Sequence, residues 1–349
     1  MTSPRLAVII CTYNRADSLK KALRSVLLQE CDGFSYEIVV VDDASTDHTR
    51  ETVQAMAADA AVPLRYVRQE DQCGIAHARN RGVAEARGDY MVFFDDDQLA
   101  DPQWLQCLWE VAQEKNADLV GGPRRLDLPP DVLSRLGPVC RSILGENLYE
   151  GPPALLHGKE LPTTGNLLIA RRVFDAIGNF NAAISRSSGE DTDFILRARE
   201  HGFTIWTAPE AMVAHMIPAY RVTPAYFRWV SLRWGVIFAR QNRINDGLLK
   251  TVAFAVARIG RAKLLHIPRL VAAIVRGDAA TAADARCLIW RAAGYGRTTL
   301  AMLAPRLFAQ ERFFEQLDFR NERMLFGGED KGMADADRTG GMGKGPDAQ

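Results

Sequence analysis

The chain has 349 residues, of which 47% are hydrophobic and 25% charged, a composition typical of one large or two small globular domains. This composition excludes a disordered, collagen-like or disulfide-stapled protein. Lys plus Arg equals Asp plus Glu at 43 each, so the net charge does not indicate a nucleic-acid partner. The charges are uneven along the chain, because residues 1–110 carry 11 basic and 18 acidic side chains whereas residues 218–326 carry 18 and 7.

The cysteines and the apolar runs predict a cytoplasmic protein. None of the six cysteines forms a C-x-x-C pair, which favours a reducing compartment over a disulfide framework or a zinc site. The first apolar run is too short for a signal peptide and is predicted to be a strand. The longest uncharged stretch is ten residues, below the about 18–20 that a membrane-spanning helix needs.

The first 120 residues alternate short apolar runs with segments of helical periodicity. This pattern predicts parallel strands joined by crossover helices, and therefore an α/β fold with a mostly parallel central sheet. The predicted strands are Leu6–Cys11, Glu37–Val41, Leu64–Val67, Tyr90–Phe94 and Leu119–Val120. The predicted helices are Asp17–Leu28, Asp47–Ala57, Ile75–Ala86 and Pro102–Glu114.

Periodicity is lost between about Pro123 and Pro162, where proline and glycine are frequent. A loop of this length is typically functional. Regular patterns then return, and they predict the strands Asn166–Ala170, Thr204–Thr207 and Ala211–His215 and the helices Arg172–Ile177 and Asp191–His201.

The chain becomes basic and helical after Tyr220. Apolar residues alternate with regularly spaced Arg and Lys over two segments, Leu248–Val275 and Ala279–Leu307. This pattern is typical of amphipathic helices that lie on a membrane surface, or of a helical bundle that packs on the first domain. Residues 327–349 include seven glycines and almost no large apolar residue, so this segment is expected to be disordered. The predicted organisation is a catalytic domain, a basic helical region and a tail: residues 1–220, 221–326 and 327–349.

Three carboxylates, Asp95, Asp96 and Asp97, follow the strand that ends at Phe94. Adjacent like charges raise the electrostatic energy unless a cation or hydrogen-bond donors offset them. A divalent ion such as Mn²⁺ or Mg²⁺, bound by carboxylates and substrate phosphates, is a suitable partner. A solvated loop that caps the next helix is the alternative, but open α/β sheets bind ligands at the carboxyl ends of their strands.

Other polar residues are predicted at the same edge of the sheet. They are Thr12, Tyr13, Asn14 and Arg15 after the first strand, Asp42 and Asp43 after the second, and Arg79 and Asn80 on the third helix. Each group alone is more often a cap, a turn or a surface feature. Their convergence at three strand ends predicts a binding crevice.

A second acidic group, Ser188-Gly189-Glu190-Asp191-Thr192-Asp193, lies at a predicted helix start. The helix dipole alone favours carboxylates there. His215 ends an apolar strand 24 residues after Asp191. An isolated histidine is commonly structural, but together with Asp97 it could complete an oxygen-and-imidazole metal site.

Seven motifs in this order resemble the family-2 inverting glycosyltransferases of the A-type (GT-A) fold. They are CTYNR, VVVDDASTD, GIAHARNRG, GDYMVFFDDD, TGNLLIARRVFDAIGNF, GEDTDFILRARE and APEAMVAH, and they cover about residues 5–217. The C-terminal helices resemble, less specifically, the basic amphipathic tails of bacterial members that build exopolysaccharides on a lipid carrier. The resemblance implies sugar transfer from a nucleotide-diphosphate sugar to a lipid-linked or polysaccharide acceptor, in cell-envelope or exopolysaccharide biosynthesis.

The resemblance also implies roles for single residues. Asp191 matches the general base that deprotonates the acceptor hydroxyl. The residues implied to contact the nucleotide base are Tyr13, Asp43 and Arg79. The D-x-D pair, which binds the ribose and the metal, corresponds to Asp95 and Asp97. The metal-associated histidine corresponds to His215. We expect Thr12, Arg15, Asp96 and Glu190 to bind substrate as well. The expected cofactor is Mn²⁺ or Mg²⁺, held by Asp95, Asp97 and His215.

One segment departs from the pattern of processive members, which carry Q-x-x-R-W after the base. The nearest match, VSLRW at Val230–Trp234, lacks the glutamine. Because no spanning helix is predicted either, transfer of one sugar per encounter is favoured. Trp234 is a candidate for the acceptor cleft, since tryptophan stacks on sugar rings, with buried helix packing as the alternative.

Two other functions are compatible with parts of the pattern. A nucleotidyltransferase would need a glycine-rich phosphate loop with a lysine after the first strand, and CTYNRADS offers none. A non-catalytic sugar-nucleotide scaffold is disfavoured because Asp95, Asp97 and Asp191 are present. The prediction is therefore a metal-dependent, non-processive glycosyltransferase, peripheral at the inner face of the cell membrane.

Overall fold

The structure, a computed structural model, describes residues 5–158, 160–183 and 189–308. Its strands are β1 (Leu6–Thr12), β2 (Tyr36–Asp42), β3 (Leu64–Arg68), β4 (Tyr90–Asp95), β5 (Gln98–Ala100), β6 (Leu119–Gly121), β7 (Arg124–Asp127), β8 (Asn166–Ala170), β9 (Ile205–Thr207) and β10 (Val213–Met216). Its helices are α1 (Ala16–Leu27), α2 (Thr49–Ala58), α3 (Ile75–Glu85), α4 (Trp104–Glu114), α5 (Pro130–Leu133), α6 (Pro138–Ile143), α7 (Arg171–Ile177), α8 (Glu190–Glu200), α9 (Pro224–Arg261), α10 (Ile267–Arg276) and α11 (Ala279–Leu303). The tail predicted at residues 327–349 lies outside the described residues.

Seven strands of the described residues form one sheet, in the order β3-β2-β1-β4-β8-β6-β9. The pairs β3/β2, β2/β1, β1/β4 and β6/β9 are parallel, and β8 runs antiparallel between β4 and β6. The sheet is thus mostly parallel, which confirms the prediction. Every strand predicted before residue 120 is present, and no end is shifted by more than one residue.

The two faces of β1 explain why its sequence is apolar throughout. Leu6, Val8 and Ile10 face a cluster that includes α1 and α4, whereas Ala7 and Ile9 face a second cluster that includes α7 and α8. A parallel strand covered by helices on both faces has no polar side along its length. Polar residues are therefore confined to its end, where Thr12 pairs with Asp42 and Cys11 with Asp95 in register.

A second sheet, which the sequence analysis missed in part, has the order β5-β10-β7 within the described residues. The sequence predicts β10, whereas β5 and β7 are not predicted. Both are only three or four residues long, which is too short for a period of two to be recognised. β10 runs antiparallel to β5 and parallel to β7, and the amide of Met216 donates to the carbonyl of Asp97 at 2.8 Å. This pairing brings His215 beside the acidic triplet.

The predicted excursion between residues 123 and 162 also contains regular structure, namely β7, α5 and α6. Residues of α6 pack in one apolar cluster with Phe227 and Val230 of α9 and Cys287 of α11. Asp284 of α11 accepts from the amides of Val139 and Cys140 at 3.1 and 2.9 Å, at the start of α6. The C-terminal helices are therefore attached to the first domain through α6. The predicted division at residue 220 stays a prediction.

The C-terminal helices have other bounds than predicted, since α11 ends at Leu303 and the predicted helix over Leu248–Val275 is interrupted. α9 begins well before Leu248 and changes direction at Gly247, whose φ is +80°. A single π turn, Ala262–His266, separates it from α10. α9 and α11 pack closely, since a Cβ at Gly294 would lie 2.3 Å from the carbonyl oxygen of Leu232. Among the described helices, none is long and apolar enough to cross a membrane.

The side chain of Asn166, at the start of β8, holds three parts of the fold together. Its Nδ2 donates to the carbonyls of Pro123 and Ala211 at 2.9 and 2.8 Å, and its Oδ1 accepts from Trp104 Nε1 at 2.7 Å. The side chain is buried and its hydrogen bonds fix the turns that precede β7 and β10. The side chain of Asn166 therefore forms its hydrogen bonds with other parts of the fold and has a structural role.

Replacing Asn166 by Asp tests this role. The Nδ2 donor becomes an oxygen, so a buried carboxylate would face two backbone carbonyls without a donor. We expect Asn166→Asp to lower the free energy of unfolding by about 3 kcal/mol, measured by urea denaturation. The exposed Asn179→Asp is the matched control, and an equal loss in both variants would contradict the assignment.

Candidate active site

A pocket of about 430 Å³ opens at the carboxyl ends of β1, β2 and β4, beside the start of α3. Nine predicted site residues line it: Thr12, Tyr13, Arg15, Asp43, Arg79, Asp95, Asp96, Asp97 and His215. The convergence of three strand ends on one crevice is thus observed. Glu190, Asp191 and Trp234 do not contribute to this lining.

Asp96 is held by residues that follow β1. Thr12 Oγ1 donates to its Oδ2 at 2.8 Å, and Arg15 NH1 donates to its Oδ1 at 2.9 Å. Burial raises the pKa of Asp96 to about 6, with Asp97 adding to the rise, while the charge of Arg15 and the hydrogen bonds oppose it. Asp96 therefore anchors the acidic triplet to β1 and points away from solvent.

Asp97 lies between Arg15 and His215. Its Oδ2 is 3.2 Å from Arg15 NH1 and 3.4 Å from His215 Nε2. Burial alone would raise its pKa, but the hydrogen bond and charge of His215, with Arg15 and Arg221, outweigh burial and hold the pKa below its usual range. Among the three carboxylates, the ionised form is therefore favoured most strongly at Asp97.

The environment of Asp95 raises its pKa, in contrast to that of Asp97. Burial and then the charge of Asp97 raise its pKa, although Arg79 and Arg124 oppose the rise. Its Oδ2 lies 3.4 Å from Gln98 Nε2 and 3.8 Å from Arg124 NH1. Gly165 packs directly on this group, since a Cβ there would lie 2.3 Å from Asp95 Oδ2. A side chain at residue 165 would displace the carboxylate.

The three predicted metal ligands, Asp95, Asp97 and His215, share the pocket. Nevertheless, no three His, Cys, Asp or Glu side chains stand close enough to hold an ion in the part of the chain that the structure describes. The structure brings together Asp97 and His215. His215 Nδ1 donates to the carbonyl of Leu144 at 3.0 Å, which leaves Nε2 facing the carboxylate. Metal-binding histidines are oriented in this way, so the pair fits a divalent ion that takes further ligands from phosphate oxygens.

The acidic residues after β2 hold the loop that leads into α3. Asp43 Oδ1 accepts from Gln69 Nε2 and the Cys73 amide, both at 2.8 Å, and its Oδ2 accepts from the Gly74 amide at 2.9 Å. Gly74 has a φ of +92°, a conformation that favours glycine. Asp43 thus lines the pocket and shapes the wall next to it.

Arg79 connects the pocket to the start of α8. Its NH1 donates to Glu190 Oε1 at 2.6 Å, and both side chains are buried. Its guanidinium lies over the ring of Phe180, 5.7 Å from the centroid. Asp191 follows Glu190 directly, and its Oδ1 accepts from the Thr192 amide at 2.7 Å. The ion pair therefore fixes the helix turn that carries Asp191, while Ser188 of the predicted motif lies outside the described residues.

Comparison with known proteins assigns the domain that holds this pocket. Residues 7–145 match the family model described as "Glycosyl transferase family 2". This region is a glycosyl transferase family 2 domain. It contains β1 to β4, the acidic triplet and Arg79, so the predicted family is confirmed.

Curated relatives of this chain are named as glycosyltransferases or polysaccharide biosynthesis proteins. Glycosyltransferase AglE of Haloferax volcanii is 28% identical over 61% of this chain and 67% of its own length. The succinoglycan biosynthesis protein ExoM of Rhizobium meliloti is 28% identical over 66% of this chain and 73% of its own length.

A solved structure confirms the GT-A fold. A mannosyltransferase from Pyrobaculum calidifontis, in complex with GDP-Man and Mn²⁺, matches 84% of this chain and 88% of its own, with a TM-score of 0.56. The two sequences are 19% identical, so the likeness concerns the fold.

Two cationic residues of the pocket are not predicted from the sequence. Arg124, in β7, donates from Nε to the carbonyl of Gly145 at 2.6 Å and extends toward Asp95. Arg221 lies in the 3₁₀ turn Ala219–Val222, and its charge lowers the pKa of Asp97. Each is one arginine among many in the sequence, without a motif around it. Arg221 follows the predicted metal-associated His215 by six residues, and this proximity in sequence is the one weak indication that it belongs to the pocket.

Trp234 lies in the helical layer. The guanidinium of Arg291 of α11 stacks on its ring at 4.7 Å from the centroid, and Trp234 packs on the cluster formed by α6, α9 and α11. This position corresponds to the helix-packing alternative. Trp234 as part of the acceptor cleft stays a prediction.

Removing the charge of Glu190 tests the ion pair with Arg79. Glu190→Gln leaves a buried guanidinium without its counter-charge, so we expect the free energy of unfolding to fall by about 3 kcal/mol. Thermal and urea denaturation measure this loss. Asp193→Asn, on the same helix turn, breaks a half-exposed pair with Arg197 and should cost less than about 0.5 kcal/mol. Equal losses would mean that Glu190 contributes no more than a surface charge.

Proposed function

We propose that this protein is a metal-dependent, inverting, non-processive glycosyltransferase that moves a sugar from a nucleotide-diphosphate donor to the hydroxyl of a lipid-linked or saccharide acceptor. The observation that carries the proposal is the pair of Asp97 and His215 in a pocket that Arg15, Arg124 and Arg221 also line. A carboxylate–imidazole pair next to several guanidinium groups suits a diphosphate with its divalent ion.

The donor occupies the pocket with its nucleoside near Tyr13, Asp43 and Arg79. These residues lie after β1, after β2 and on α3, around the carboxyl ends of the parallel strands. Asp97 and His215 would hold Mn²⁺ or Mg²⁺, which neutralises charge on the diphosphate when bound. Asp95 and Asp96 stabilise this arrangement, since Asp96 is fixed by Thr12 and Arg15.

Departure of the nucleoside diphosphate is assisted by Arg124 and Arg221. The bond to the sugar breaks as negative charge develops on the phosphate oxygens, and cations already in place lower the energy of that state. Arg124 is held in place by the carbonyl of Gly145, so little reorganisation is required. Each arginine can donate two parallel hydrogen bonds to a phosphate.

Asp191 takes the proton of the attacking hydroxyl. It lies in the first turn of α8, which the buried Arg79–Glu190 pair fixes against the pocket. The acceptor oxygen attacks the anomeric carbon from the side opposite the diphosphate, so the configuration inverts. Attack by a hydroxyl is effective when a carboxylate within hydrogen-bond reach accepts the proton.

One relative supports a role in polysaccharide synthesis. ExoM is named as a succinoglycan biosynthesis protein, and we extend a role in polysaccharide or cell-envelope assembly to this chain. We place the enzyme as a peripheral protein at the inner membrane face, where lipid-linked acceptors are found. Without the glutamine of the processive motif, one sugar is transferred per encounter.

Release of nucleoside diphosphate tests the reaction class. We expect one donor from a panel of UDP-, GDP- and dTDP-sugars to be cleaved with Mn²⁺ or Mg²⁺ and not with EDTA. Asp191→Asn should lower the rate at least about 100-fold, because the general base is lost, and leave calorimetric binding of the diphosphate unchanged. Asp193→Asn is the matched control. A folded protein that neither cleaves any donor nor binds any diphosphate contradicts the proposal.

Loss of either pocket arginine should weaken binding of the diphosphate. We expect Arg124→Gln and Arg221→Gln each to raise the Kd of the nucleoside diphosphate about tenfold or more, with a smaller effect on the monophosphate. Calorimetry with Mn²⁺ present measures both constants. Arg125→Gln is the control, since Arg125 is bound to Asp101 outside the pocket. If mono- and diphosphate are affected equally, the arginines do not act on the second phosphate.

A further inference from the structure

One face of α10 is apolar and exposed. Val275 is 81% exposed and Val271 55%, and Leu264 in the preceding π turn is 77% exposed. With Ile267 and Ile274, these residues recur at helical spacing and form one stripe, here called the α10 face. The buried residue of α10, Ala273, lies on the opposite side, where α10 packs on α11.

The surroundings of the α10 face are basic. Between Asp246 and Asp278 the sequence has no acidic residue. The basic residues of the same segment are Lys250, Arg258, Arg261, Lys263, Arg269 and Arg276. Arg269 and Arg276 are exposed and flank the apolar stripe on one side, with Lys263 on the other. The surface is thus an apolar stripe between cationic edges.

We propose that the α10 face docks on an anionic membrane surface. The apolar stripe would enter the boundary between headgroups and acyl chains, and the flanking Arg and Lys would bind lipid phosphates. α10 has ten residues, so its length is about 15 Å, which suits a helix that lies flat and is too short to cross the bilayer. The inference deepens the proposed function, since a lipid-linked acceptor is confined to a membrane.

Charge favours a lipid surface over a second copy of the chain. A symmetric contact would place the α10 face of one protomer against that of another, with Arg269 and Arg276 of both copies close together. Asp278, whose pKa both arginines lower, carries one negative charge against their two positive charges, so the contact stays repulsive. An anionic bilayer supplies compensating charge at every position along the stripe.

Sedimentation of the full-length protein with vesicles tests the docking. We expect binding to vesicles of equal parts phosphatidylcholine and phosphatidylglycerol, little binding to phosphatidylcholine alone, and weaker binding at high salt. Val271→Ser combined with Val275→Ser should lower the partition coefficient about tenfold, because apolar area is lost from the contact. Arg269→Gln combined with Arg276→Gln should have an effect on the order of tenfold.

Two exposed residues of the first domain provide matched controls: Leu28→Ser and Arg81→Gln, at positions 66% and 54% exposed. They should leave binding unchanged. The proposal is overturned if the full chain does not sediment with anionic vesicles. This holds whether the α10 face is then covered by residues 309–349 or by a second copy of the chain. It is also overturned if the α10 variants bind like the controls. Light scattering of the same samples identifies a second copy as the occupant.

The vesicle assay does not depend on transfer. A protein that sediments with anionic vesicles but cleaves no donor and binds no diphosphate contradicts the proposed function and not the docking. A protein that cleaves its donor in solution but ignores vesicles contradicts the docking and the placement at the membrane, and leaves the proposed sugar transfer intact.

Discussion

The repulsion among Asp95, Asp96 and Asp97 is the constraint on which the site depends. Three carboxylates follow one another at the end of a buried strand, and the fold offsets them differently. Asp96 is held by Thr12 and Arg15, whereas Asp97 is ionised beside His215 and Arg15. The surrounding arginines come from the loop after β1, from α3, from β7 and from the turn after β10. The second sheet and the turn after it thus supply part of the positive charge that faces the triplet.

The C-terminal helices belong to the site as well as to the surface. Arg221 lines the pocket three residues before α9 begins, and α6 packs between the first domain and α11. The inner side of this layer therefore supports the pocket, while α10 on the outer side exposes apolar residues. The packed-bundle interpretation of the basic segment holds for α9 and α11, whereas the membrane-surface interpretation stays a prediction for α10.

Much of the fold could be predicted from sequence because strands buried on both faces leave an unbroken apolar run. The polar residues at the ends of β1, β2 and β4 were found for the same reason, since register alone places Thr12, Asp42 and Asp95 side by side. The short strands β5 and β7 lack enough residues to show a period. Arg124 and Arg221 carry no local pattern, because only tertiary structure brings them to the triplet.

The C-terminal layer also bears on Trp234 and on the break in α9. A tryptophan in a helix has the same sequence signature whether it stacks on a sugar or on Arg291. Gly247 in turn gives no sign that its φ is positive, since glycine also occurs inside helices. Contacts between distant segments decide both cases.

The hydrogen bond of His215 to Leu144 sets the tautomer of the imidazole. Leu144 ends α6, and the other end of α6 is capped by Asp284 of α11. The carbonyl that keeps the proton on Nδ1 and turns Nε2 toward Asp97 thus belongs to a helix that the C-terminal layer holds in place. The orientation of a pocket side chain is in this way linked, through one backbone carbonyl, to a contact made by α11.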